Sequence, residues 1–168
     1  MIVRDERDLR GLIKIGHICT MTMNYMLAQV EPGISTGELD RMGAAFLAKH
    51  RAQSAPITFY NYPGHTCISV NEEVAHGIPG SRIIQPGDVV NIDVSAVLDG
   101  YIGDTGASMV VPPATEVKTK LVERTRATLE MTVELLTADA PLNLIGRTIE
   151  GQGRKFSYRT FHELGGHG

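Results

Sequence analysis

Residues 88–111, DVVNIDVSAVLDGYIGDTGASMVV, constrain this chain more than any other stretch. Two alternating runs flank Asp99-Gly100. Asp-Gly in that setting is a strong signal for a tight β-hairpin, because both central residues of a type I′ turn take positive φ. A two-residue loop sets the register: Leu98 faces Tyr101, Ser95 faces Asp104 and Asp93 faces Gly106. Side chains alternate along a strand. Asn91, Asp93 and Ser95 therefore share one face, and Val90, Ile92, Val94 and Ala96 share the other. Asp104 joins the polar face, diagonal to Asp93, at the roughly 7–8 Å of diagonal neighbours.

Two carboxylates brought that close repel unless a proton or a cation lies between them. A pair of divalent ions, ~3.5–4 Å apart, suits the arrangement. The solvated face of an antiparallel sheet is also polar, so the hairpin alone reads either way. Asp104 lies in Gly-Asp-Thr-Gly, which is poor strand material and points to close approach by a ligand.

The remaining chain supplies helices. Residues 5–30 place Leu9, Leu12, Ile13, Ile15, Ile18 and Met26 at helical intervals. Ser35 and Glu38 form a capping box before a second helix over LDRMGAAFLAKH. TFYNYPGH reads as a loop, TCISVN as a short strand and HGIPG as a turn. A third helix is expected over about 115–138. Pro141 breaks it before a further helical piece in LNLIGRTIEGQGRKF. SYRTFHELGGHG reads as a strand and a Gly-rich turn. This order predicts an α+β fold, an antiparallel sheet with flanking helices, in a single domain over residues 1–168.

Composition excludes several classes. Hydrophobic residues make up 42% and charged residues 21%, ordinary for a globular protein, and the net charge of -3 gives no case for DNA or a membrane surface. The two cysteines, Cys19 and Cys67, form no disulfide framework, and MIVRDERDLR is too charged for a signal peptide. A cytoplasmic setting is expected.

HELGGHG invites comparison with the zinc motif His-Glu-x-x-His, whose histidines sit four apart on one helix face. Here His162 and His167 are five apart, and paired glycines disfavour a helix. That motif is rejected. His167 by itself reads as a loop histidine or as a ligand among glycines. His76 follows a strand in a turn, with the same two readings.

Taken together, NYPGHTCISVNEEVAHGIPG, GDVVNIDVSAVLDGYIGDTGASMVV and GGHG closely resemble type I methionine aminopeptidases, over essentially the whole chain. The resemblance implies the pita-bread fold of the creatinase and aminopeptidase group, two pseudo-symmetric α+β halves around two divalent metal ions (cobalt, manganese, iron or zinc). It implies that Asp93, the bridging Asp104 and His167 are metal ligands. It implies that His76 contacts substrate and steadies the transition state, and that Phe59, Tyr62 and Cys67 occupy the methionine-pocket positions. The implied activity is metal-assisted removal of the initiator methionine from nascent polypeptides, met at the ribosome. The family pattern continues beyond GHG with a second histidine and two glutamate ligands, whereas this chain reaches Gly168 first. The expectation is a catalytic domain truncated at its C-terminus, with an incomplete second half, and inactive by itself. The alternative is a non-catalytic pita-bread binding module.

Overall fold

The computed structural model describes residues 2–161, 164 and 165, in two compact units, 2–119 and 120 onward. At the heart of the first unit stands the expected hairpin. Strands β3 (Val89–Leu98) and β4 (Tyr101–Val110) pair in the expected register, with Ser95 opposite Asp104 and Asp93 opposite Gly106. Asp99 and Gly100 take φ of 53° and 85°, the positive values a type I′ turn demands. Strands β1 (Gln53–Ser54) and β2 (Cys67–Val70) pair in succession along the other edge of β3, both antiparallel. Thus β3 is paired on both sides.

The apolar face of β3 is sealed completely: Val90, Ile92, Val94 and Ala96 are each 0% exposed. Burying each of the larger side chains contributes about 1.5–3 kcal/mol. Helix α1 (Glu6–Leu27) covers this face with Ile15, Ile18, Cys19, Met23 and Met26. Asp5 caps it by accepting from the backbone N–H groups of Arg7 and Asp8. Helix and strand touch backbone to backbone at Gly103, where a Cβ would lie 3.0 Å from Gly16 N and Ile15 C. The Cys19 thiol donates to Gly103 O at 3.3 Å. Helix α2 (Thr36–Lys49) begins with the expected Ser35–Glu38 capping box and adds Leu39 and Leu47 to the core.

Two expectations change. Part of TFYNYPGH is helical, not loop: α3 spans Ala55–Tyr60. Its start signal precedes the aromatics, because the Ser54 hydroxyl accepts from Ile57 N and Pro56 fits the first turn. The strand expected in SYRTFHELGGHG is not found over residues 157–161, and the rest of that stretch is described only at Leu164 and Gly165. Ser157 takes a φ of 58°, outside the extended region a strand needs, and Ser-Tyr-Arg-Thr-Phe does not alternate strictly.

Helix α4 (Glu116–Leu135) crosses from the first unit into the second, where α5 (Asn143–Phe156) follows. Within the second unit the Arg124 guanidinium stacks 4.4 Å above the Phe156 ring, and its Nη1 donates to Tyr158 Oη. Leu129 and Val133 of α4 are more than half exposed. No helix among the described residues is long and apolar enough to cross a membrane.

One buried carboxylate organises the approach to β2. Asp40, 7% exposed on α2, accepts from His65 N, Thr66 N and Thr66 Oγ1 at 2.8–3.0 Å. It thereby fixes the loop that delivers Cys67. Asp40→Ala should destabilise the fold by about 2–4 kcal/mol, since it strands buried donors on Thr66. Urea unfolding of parent and variant measures this directly.

Candidate metal centre

The polar face of β3 gathers the chemistry. Asp93 stands at its middle, and the β2 pairing puts Cys67 directly opposite. Asp104 arrives from β4, one diagonal step away, and lies within hydrogen-bonding reach of Asp93. The sheet register therefore places a carboxylate pair beside a buried thiol. Cys67 is 7% exposed, and its thiol lies within hydrogen-bonding reach of the half-buried Tyr62 hydroxyl.

Electrostatics mark the same spot. Burial first, and the Asp104 charge second, push the Asp93 carboxyl up to about 7. Asp93 Oδ1 is buried and has no hydrogen-bond donor among the described residues. An orphaned buried acceptor of this kind costs about 1–3 kcal/mol, more when charged. A divalent cation relieves both problems, because it accepts oxygen donors and neutralises paired carboxylates. The residues present thus fit a metal, with Asp93 and Asp104 as the ones that would hold it. Among the described residues no third histidine, cysteine or acid joins them. The third expected ligand, His167, lies outside the described residues, as do His162 and Glu163.

The other expected site residues fall as follows. His76 takes the left-handed conformation, φ 55°, on an exposed turn beside β2. The Tyr62 hydroxyl reaches the backbone of that turn, so Tyr62, Cys67 and His76 belong to one neighbourhood. Phe59 sits on α3 and is 53% exposed. Two supporting residues escaped the sequence reading. Ser69 accepts from Gly77 N at 3.0 Å, and Asp88 accepts from Asn71 Nδ2 and Gln85 N. The polar positions in SVN and PGD were the available signals, but neither residue type declares its partner.

The Asp93 shift has a sign. Its folded value of about 7 exceeds the 3.8 of the unfolded chain. The stability it contributes is therefore full below 3.8, falls as pH rises, and is lost above about 7. In metal-free protein, Asp93→Asn should be gained in stability relative to the parent as pH rises from 4 to 7. Manganese should stabilise the parent more at pH 8 than at pH 5, because protons and cation compete for the carboxylates. Denaturant titrations across this range, with and without manganese, check both; a parent–variant difference independent of pH would contradict the assignment.

Comparison with known proteins agrees with this geometry. The sequence matches metallopeptidase family M24 over residues 10–168. It is 41% identical to a methionine aminopeptidase of Staphylococcus epidermidis, with all of this chain and 67% of that protein covered. It is 42% identical to methionine aminopeptidase 2 of Bacillus subtilis, with all of this chain and 68% of that protein covered. The crystal structure of the Rickettsia prowazekii methionine aminopeptidase superposes with a TM-score of 0.88 at 29% identity, over 93% of this chain and 63% of that one. The chain thus spans about two thirds of the length of these relatives. The antiparallel sheet and flanking helices are those of the pita-bread fold, and the chain belongs to metallopeptidase family M24.

Proposed function

We propose that this protein removes the N-terminal methionine from proteins and peptides as a metal-dependent exopeptidase of the cytoplasm. The observation that carries the reading is the Asp93–Asp104 pair, with its orphaned buried oxygen, set beside Cys67 and Tyr62. The names of the relatives support the substrate class. Residues 1–168 are read as part of one catalytic domain, and nascent chains at the ribosome as the natural substrates.

Asp93 and Asp104 would hold two divalent ions, cobalt, manganese, iron or zinc, with His167 as a further ligand. When bound, such ions polarise the scissile carbonyl and activate water. The protein's own residues do the rest. Cys67, Tyr62 and Phe59 would supply the apolar contacts to a thioether side chain. His76 donates a hydrogen bond to the oxygen on which charge develops. By holding the ions, the two carboxylates would fix where the reacting bond must lie.

Methionine release from short peptides by the full-length protein, with manganese supplied, tests the proposal. Peptides with Met first and a small second residue should be cleaved best. Faster turnover of peptides with proline second would point instead to a proline-specific relative. Asp104→Ala should lower the rate beyond the ~100-fold typical of losing a mere supporting residue. Asp104→Asn should be nearly as harmful, since a neutral amide balances no cation charge. Parental rates in either variant would refute the ligand assignment, and a protein that binds manganese yet releases no methionine would be a binding module.

A further inference from the structure

His76 is a non-glycine residue at positive φ on an exposed turn, where residues 71–76 have little packing to hold them. L-residues leave that conformation unless their surroundings over-determine it. The surroundings here are polar tethers converging on the next residue. Gly77 O accepts from Ile68 N at 2.9 Å and from Tyr62 Oη at 2.8 Å. His76 O is the second, longer acceptor of the same hydroxyl, at 3.2 Å. Gly77 N donates to Ser69 Oγ at 3.0 Å. No side chain fits in this junction: a Cβ on Gly77 would lie 2.3 Å from Ile68 O.

Two of these partners, Ile68 and Ser69, belong to β2 and pair with Ile92 and Asn91 of β3, and the next pair along that ladder is Cys67 with Asp93. The turn is therefore referenced to the carboxylate strand through β2. Among the described residues, Tyr62 is the tether that comes from outside the sheet. Burial raises its phenol further above the ordinary tyrosine range, so the hydroxyl remains a proton donor at any working pH.

We propose that Tyr62 is a positioning residue: its hydroxyl clamps the His76–Gly77 turn onto β2 and so fixes the backbone from which the His76 side chain is presented. Under this assignment, which rests on the proposed peptidase reading for its kinetic consequence, Tyr62 does more than wall a pocket. The ring and the hydroxyl have separable effects. The ring shapes the binding surface, and the hydroxyl sets the geometry of a group needed only as charge develops.

Tyr62→Phe separates the two. It keeps the ring and removes the clamp. In the full-length protein, methionine release should show kcat lowered about tenfold or more, the scale of one lost hydrogen bond, with KM within about threefold of the parent. A risen KM with unchanged kcat, or no change in either, would overturn the assignment and leave Tyr62 as pocket wall. Ser69→Ala, which removes another tether of the same turn, should lower kcat in the same way, and its effect should combine less than additively with Tyr62→Phe. Full additivity would count against a shared turn. Amide hydrogen exchange at Gly77 reads the clamp without any activity: exchange should quicken about tenfold in Tyr62→Phe while amides of α1 keep parental rates. Unchanged Gly77 exchange overturns the proposal. If the parent itself releases no methionine while Gly77 exchange quickens as expected, the clamp stands and the peptidase reading is what has failed.

Discussion

The candidate site depends on one strand having two incompatible faces. β3 buries Val90, Ile92, Val94 and Ala96 completely against α1, and this burial leaves Asp93 no choice of side. A slip of one residue would drive the carboxylate into the apolar core and expose the valines, a change comparable to a small domain's whole margin of stability. The Asp99-Gly100 turn then locks β4 to the same register and puts Asp104 on Asp93's side. Carboxylate convergence is thus a consequence of hydrophobic alternation. The electrostatic strain it creates, visible in the raised Asp93 and its orphaned oxygen, is held in place by packing on the opposite face.

Polar interactions perform a different task on the loops. Asp40 binds the segment leading into β2, Asp88 binds the one leading into β3, and Tyr62 with Ser69 binds the His76 turn. Each tether ties an irregular stretch to the regular scaffold, where apolar burial alone could not select one conformation. The scaffold positions the carboxylates, and the tethers position the groups that would face them. Both converge on β2, whose four residues are all buried and whose first, Cys67, stands opposite Asp93. An engineered change in the loops should therefore disturb the site through geometry long before it disturbs the fold.

The hairpin was legible because its signals are local. Asp-Gly needs only its neighbours to dictate a turn, and a period of two needs only the strand itself to assign faces. The α2 capping box was legible for the same reason, since Ser35 and Glu38 are three residues apart. The helical start at Ser54-Ala55-Pro56 was also local, but the aromatic loop signal after it was stronger and won. Tyr62, Cys67 and His76 were picked out by family resemblance, while their mutual arrangement was not readable at all. His167, the remaining ligand implied by that resemblance, lies outside the described residues.

By itself, then, the sequence determined the strand register, the side of the sheet on which Asp93 and Asp104 meet, and the family to which those motifs belong. These follow from alternation, turn stereochemistry and short-range spacing. Only the tertiary structure decided that β2 lies along β3 so that Cys67 opposes Asp93, that Asp40 holds the loop before it, and that Tyr62 reaches the His76–Gly77 backbone. Those contacts join residues 14 to 26 positions apart in the chain. Their formation depends on how separately folded elements pack around a common core, and no pattern confined to one segment carries that information.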